Sequence, residues 1–404
     1  KTCGHSERYP DAEKNPRCSV CGSALDIEKD IVYNLRQNSV IFESGEGEEW
    51  SCRVLTDRSS SAGFVDFFTL DSTATIVAYN GEEVMASMIS WVLHREHPVA
   101  YFTQNHGETA DIAFSNLLTC AGYYVEVINL RKQEIPENAG MVIISNPTSD
   151  FDRAAEGSET RGELDKLEDY LINKGGKVYV ALDPYVKELT NLEDTLEKWG
   201  ISLAGKKNDN GVLVRETVRD EVNAITPDGY TFVATHADSE LATAVRDKVM
   251  AHGNDSILMS EVTRLTLDAS RGAQPMLISG SSSSSYAAGE RVDAEGSYAV
   301  CAYSTQSHEG GKTSTVFVIP TAYITATDAF LSENYSNKDF LYSVLEVLFD
   351  SNPAPRGCNQ VLYTSGTLEN LTMGRAKLYA AIIFTVPVIL AVFGVITIRR
   401  RKNR

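Results

Sequence analysis

A chain of 404 residues, 43% of them hydrophobic and 23% charged, carries enough apolar content for a large buried core, which excludes a disordered chain. Its 37 Lys and Arg against 55 Asp and Glu leave a net charge of −18, which excludes a surface that attracts nucleic acid or anionic headgroups. Seven cysteines scattered over that length are too few and too odd in number for a disulfide scaffold.

Residues 1–75 read as the C-terminal part of an α+β domain. Ser39–Phe42 and Cys52–Leu55 are β-prone, with a hairpin-like break at Gly45–Glu49 between them, and Phe64–Leu70 follows. Cys18 and Cys21 form a knuckle-like pair with Cys3 upstream. Zinc needs four ligands, usually two such pairs, so a zinc site, a disulfide and free thiols all remain open for these three. Cys120 and Cys301, in apolar surroundings, read as buried small hydrophobes. The chain begins with Lys and shows no signal peptide, so a longer precursor with an upstream signal or transmembrane helix is expected.

Residues 76–350 read as one α/β domain. A helix from Gly81 places Val84, Met88, Trp91 and Val92 on one face, with Glu82 and Glu83 in its first turn. His94 and His97 at its end form an H-x-x-H pair, read as basic residues at a helix C-terminus rather than metal ligands. Pro98–Thr103 is a continuous apolar run and therefore a buried strand. A helix over 108–121 follows, with Ile112, Phe114, Leu117 and Leu118 inward and Gly122 as its stop.

Strands at Tyr123–Ile128 and Met141–Ser145 precede a capping box, Thr160-x-x-Glu163. That box opens a helix with Leu164, Leu167 and Leu171 on one face, ended by Gly175-Gly176. A strand at Lys177–Leu182 and a helix at Asn191–Trp199 complete the alternation. Strands alternating with amphipathic helices predict a doubly wound, mostly parallel sheet. The second half is less regular. Short strands are expected at 212–214, 231–234, 257–259, 298–303 and 315–320, a polar loop at Ser281–Ser285, and a helix at Asn337–Phe349.

In such a sheet, ligands sit beyond the carboxyl ends of the strands. Those ends offer His106 and Glu108 after the first strand, Asn146 after the third and Asp183 after the fourth, which makes these four the ligand-binding candidates. The first turn has one glycine, not G-x-G-x-x-G, and Glu108 stands where an anion would be held, so no nucleotide is expected. No Walker A loop, H-E-x-x-H or G-x-S-x-G elbow is present. The expectation is therefore no catalytic residue, no metal beyond the possible zinc, and a protein that is not an enzyme. An alternative pairs His106 with Glu108 or with Ser145 or Ser149 as a degenerate hydrolase; another is a surface ligand-binding receptor.

Residues 351–377 form a connector rich in Pro, Gly and Asn. Leu378–Ile398 is an uncharged apolar run, about the 20 residues that an α-helix needs to cross a bilayer. Arg399, Arg400, Arg401, Lys402 and Arg404 follow at once, and the excess of basic residues marks the cytoplasmic side. The expected topology is one C-terminal span in a cell membrane, a basic cytoplasmic tail at 399–404, and residues 1–374 outside the cytoplasm. Setting aside the seven basic residues from Arg375 onward, that outer part holds 30 basic against 55 acidic residues, a net of −25.

Several stretches in order resemble the gliding-motility-type ABC-transporter auxiliary (GldG-like) family. They are Asn80–Val84 with Pro98–Glu108, Val142–Phe151, Leu167–Pro184, and Thr327–Asn334 with Asn337–Phe340. Asp11–Pro16 and Asn38–Ser44 are similar to that family's earlier strand-and-turn pieces, and the closing apolar segment matches too. Gln104-Asn105 departs from the family's small residue and Gly. The resemblance implies an extracytoplasmic sheet of flavodoxin-like or glutamine-amidotransferase-like type. It also implies permease and ATPase subunits as partners in transport, lipid around the terminal helix, and a missing N-terminal half. It brings no catalytic residues.

Overall fold

The computed structural model describes residues 40–45, 50–55, 68–70, 76–94, 96–109, 111–155, 160–293, 295–330, 332, 334–353, 355–358, 361–362 and 377. The chain divides into two compact units, Lys1–Phe68 with Asn80–Gln360, and Thr69–Tyr79 with Val361–Arg404. In chain order the elements are β1 (Val40–Ser44), β2 (Ser51–Leu55), β3 (Phe68–Leu70), β4 (Ile76–Tyr79), α1 (Gly81–Leu93), β5 (Val99–Thr103), α2 (Ile112–Cys120), β6 (Tyr124–Ile128), β7 (Ala139–Ser145), α3 (Glu163–Lys174), β8 (Lys177–Ala181), α4 (Thr190–Lys198) and β9 (Ile201–Leu203). Then come β10 (Gly205–Lys207), β11 (Leu213–Arg215), β12 (Thr217–Arg219), β13 (Thr231–His236), α5 (Glu240–Met250), β14 (Ile257–Ser260), β15 (Leu265–Leu267), β16 (Ala273–Ile278), β17 (Ser284–Ala287) and β18 (Glu290–Arg291). The last are β19 (Ala299–Ser307), β20 (Thr313–Ile319), α6 (Thr327–Phe330), α7 (Asn337–Leu348) and β21 (Val361–Leu362).

One mixed sheet organises the larger unit, in the order β14-β13-β16-β19-β20-β8-β7-β5-β6, with β15 and β9 joined at the side of β19. From β20 to β6 every neighbouring pair is parallel. From β14 to β20 every pair is antiparallel. The expected mostly parallel sheet is therefore parallel over only one half. The physical reason lies in the connections: helices join β5 to β6 and β7 to β8, whereas short turns and hairpins, which favour antiparallel pairing, join most of the later strands.

The parallel strands are apolar on both faces because both faces are covered. Along β7, Met141 and Ile143 enter one core while Val142 and Ile144 enter the other. The same alternation runs through Tyr179 and Val180 of β8 and through Phe317 and Val318 of β20. One core takes Met88 of α1, Phe114 and Leu118 of α2, and Phe340 and Leu345 of α7. The other takes Leu164, Leu167 and Leu171 of α3 with Leu192, Leu196 and Trp199. Both helix faces match the apolar spacing in the sequence.

The helix expected over 108–121 begins instead at Ile112, where the Asp111 carboxylate accepts the Phe114 N–H at 2.9 Å. An aspartate N-cap outcompetes Glu108, which is engaged elsewhere. Ile112, expected inward, is 68% exposed, because the later start turns the first position to solvent. Ser281–Ser285 is not a loop throughout. Ser284 and Ser285 open β17, which pairs antiparallel with β12, and the Ser285 hydroxyl donates to Glu216 at 3.1 Å. Small hydroxyl side chains fit that buried ladder once Glu216 satisfies one of them, and composition does not report this.

Asn337, wholly buried at the start of α7, pins the helix to the sheet edge. Its Oδ1 accepts the Leu258 N–H at 2.9 Å, and its Nδ2 donates to the carbonyls of Leu258 at 2.9 Å and Ile324 at 3.1 Å. Asn337→Leu removes all three bonds and strands two backbone groups of Leu258, so a loss of about 2–3 kcal/mol is expected in denaturant unfolding. A loss below about 0.5 kcal/mol would show that the bridge is dispensable.

Among the described residues no helix is long and apolar enough to cross a membrane. Leu378–Ile398 lies outside them, as do Cys3, Cys18 and Cys21. Cys120 and Cys301 are free and buried as expected, and burial drives the Cys120 thiol up to about 12, which leaves it unreactive at neutral pH.

Candidate functional site: the carboxyl edge of the parallel strands

Beyond β5 the backbone turns sharply, with φ of 85° at Asn105 and 73° at Gly107. A Cβ on Gly107 would stand 2.0 Å from the Thr148 Oγ1, so glycine permits the neighbouring loop to come this close. That loop hangs on one carbonyl: the His106 oxygen accepts the N–H groups of Thr148 at 2.7 Å and Ser149 at 2.9 Å. The turn after β5 and the turn after β7 are thereby locked together.

The His106 side chain is 1% exposed and lies stacked on Phe151, centroids 3.9 Å apart. Its Nε2 lies 2.9 Å from Glu163 Oε2 and its Nδ1 3.3 Å from Glu108 Oε1. Glu108 Oε2 also accepts the His106 N–H at 2.7 Å. Glu163, 2% exposed, accepts the Asp152 N–H at 3.0 Å as well, and Arg131 Nε stands 3.5 Å away. An imidazole between two carboxylates and near a guanidinium is an ionic clasp that ties three loops together.

Burial penalises the charged imidazole, yet the hydrogen bond to Glu108 and the charge of Glu163 outweigh it and raise the His106 pKa above its ordinary 6.5. Burial likewise opposes ionisation of Glu108, but the bonds from His106 win and hold its pKa below 4.5. The signs follow. The His106 contribution is full below about pH 6.5 and is lost as pH rises through the raised value. The Glu108 contribution is present above about pH 4.5 and is lost as pH falls through the depressed value. Thermal unfolding of the native chain should therefore fall from pH 6.5 upward more steeply than that of His106→Gln. Parallel curves for the two proteins would contradict a protonated clasp.

Of the four ligand-binding candidates the structure brings together two, His106 and Glu108. Asn146 lies one strand away with φ of 50°, its N–H on the Ala181 carbonyl and its Oδ1 buried without a partner among the described residues. Asp183 stands apart and accepts the Tyr185 N–H at 2.8 Å, holding its own turn. Both ring nitrogens of His106 face carboxylates rather than a serine, so the His106 pairing with Ser145 or Ser149 is not formed.

Sequence reasoning missed Glu163 because it assigned that residue to a capping box with Thr160. The structure starts α3 after Gly162, whose N–H reaches the Asp165 carboxylate at 2.8 Å, and turns Glu163 inward. A signal was present: Glu163 lies four and eight residues before Leu167 and Leu171, on the buried face of the helix. The nearby pair His94 and His97 is also corrected. His97 stacks on Trp91 at 3.7 Å and bonds the Gly122 carbonyl, and burial pushes its pKa down to about 4, so it is neutral rather than basic. Among the described residues no group of three or more His, Cys, Asp or Glu side chains is placed to hold a metal.

No protein-family model matches this sequence, and no curated protein matches it. Among solved structures, a chain described as "Structure of PurLQS from Thermotoga maritima" is similar at 11% identity and a TM-score of 0.33, over 62% of this chain and 98% of that one. The expectation that this chain is not an enzyme is withdrawn. A likeness at that TM-score assigns neither a fold nor an activity.

Proposed function

We propose that this chain is a membrane-anchored accessory subunit of an ABC-type transport or motility system, with its α/β domain outside the cytoplasm to meet protein or substrate. The observation that carries the reading is Leu378–Ile398, uncharged throughout and followed by five basic residues, in a chain otherwise strongly acidic. The ordered resemblance to the GldG-like auxiliary family supports it, and names a permease and an ATPase as the partners. On this reading the parallel half of the sheet is the flavodoxin-like or glutamine-amidotransferase-like part, and lipid surrounds the terminal segment.

The ionic clasp also has a place in this reading. It fills the carboxyl edge near β5 and β7, where a doubly wound sheet would otherwise receive a ligand, with residues of its own loops. Contact with partners then falls to other surfaces. The test is recovery of the tagged full-length protein from its native membrane. A multi-span permease and an ATPase are expected in stoichiometric amounts; repeated recovery with neither would overturn the assignment.

A further inference from the structure

The main sheet ends in two edge strands, and the chain treats them differently. At one end β14 is closed by α7 and the turns beside it. Asn337 holds both the N–H and the carbonyl of Leu258, each at 2.9 Å. The Ser256 carbonyl accepts the Ser336 N–H at 2.9 Å, and the Ser260 carbonyl accepts the Thr321 hydroxyl at 2.6 Å.

At the other end β6 is open. Its Tyr124 N–H donates to the Pro98 carbonyl and its Ile128 carbonyl accepts the Gln104 N–H, both toward β5. Backbone groups alternate in direction along a strand, so those of Val125 and Val127 point away from the sheet. Among the described residues no strand pairs with them. Unpaired edge groups are a template for another strand unless a proline, a lysine or a bulge blunts them, and Tyr124–Ile128 has none of these.

The side chains select the strand that fits. Val127, 63% exposed, stands on one face of β6; Tyr124, 44% exposed, and the exposed Glu126 stand on the other. Two copies of β6 pairing antiparallel, with Val125 opposite Val127, would set Glu126 directly across from Glu126. That like-charge pair is unfavourable, and each chain carries a net −18 besides. A lysine or arginine in the same place gains an opposite charge and lies beside the Tyr124 ring.

We propose that β6 is the docking edge for an extended, basic segment of a partner protein. The segment adds to the sheet as a further strand, its backbone bonded to Val125 and Val127 and a lysine or arginine set against Glu126. The proposal stands independently of the transport reading.

The test uses the full chain in detergent at about 150 mM salt, which screens distant charges. The probes are the fluorescein-labelled peptide Thr-Val-Lys-Val-Lys-Val-Thr and its counterpart with glutamate for lysine. In hydrogen-exchange mass spectrometry the lysine peptide should protect the amides of Val125 and Val127, read within residues 123–128. By fluorescence anisotropy the glutamate peptide should bind about fivefold more weakly, and Glu126→Lys should cancel that preference. Val127→Pro, which removes an outward N–H, should abolish binding. Glu126→Lys, at an exposed position, keeps the test decisive should the proline variant unfold. Unchanged exchange at saturating lysine peptide would overturn the proposal. So would a preference for lysine that survives Glu126→Lys, or protection that grows with protein concentration alone, which would mark a second copy as the occupant.

Discussion

Phe317→Ala is expected to destabilise the larger unit by about 4 kcal/mol, the largest effect of any single substitution considered. Phe317 sits in β20, the strand at which the sheet changes from antiparallel to parallel pairing. It is wholly buried. Its ring stacks on Tyr179 at 5.4 Å between centroids and meets Phe349 edge-on at 6.4 Å. Tyr179 in turn stacks on Phe114 at 4.5 Å, so a cavity at Phe317 loosens a row of rings spanning β20, β8 and α2. A phenyl ring's transfer energy and the cavity left behind both count against the variant, since strands on either side limit collapse. Urea unfolding measures it directly. Phe317→Leu, which keeps most of the volume, should lose no more than about half as much.

Glu163→Ala is expected to cost about 3 kcal/mol, and for a different reason. It removes no large apolar volume. It leaves the His106 imidazolium with one carboxylate instead of two, strips the Asp152 N–H of its acceptor, and takes the nearest buried charge from Arg131. Removing one partner of a buried pair is costly because the other is left charged in a poor solvent. Glu163→Gln separates charge from geometry: the amide oxygen still accepts a bond, but no longer favours the imidazolium. The His106 pKa should then fall, and the decline of stability above pH 6.5 should flatten, with less total loss than in the alanine variant. An alanine variant as stable as the native chain would show that the clasp contributes nothing.

The parallel half of the fold was legible because its signals are local. Val142-Ile-Ile and Val178-Tyr-Val-Ala are unbroken apolar runs between turns, and Leu164, Leu167 and Leu171 recur at helical spacing. The antiparallel half was less legible. Its strands are short, they pair over long separations such as Thr217 with Tyr286, and a run of serines hides one of them. Such partners are chosen by tertiary packing, which composition does not carry.

The candidate site divides in the same way. His106 and Glu108 are two residues apart, and their pairing can be read along the chain. Glu163 lies 57 residues beyond His106 and reaches it only because α3 packs its first turn against the β5 exit. A glutamate just after Gly162 reads locally as helix-capping material, and the more local explanation prevailed over the correct one. Arg215 is harder still. Its partner Glu193 stands on α4, 22 residues earlier in the chain, and nothing local to β11 announces the pair.

In the proposed topology a basic-flanked apolar segment holds an acidic α/β body on the outer side of a membrane. Limited proteolysis of intact cells, read with one antibody against α3 and another against a tag after Arg404, distinguishes the two sides. The α3 epitope should be digested while the tag survives until the membrane is opened. Loss of the tag with the α3 epitope intact would contradict it.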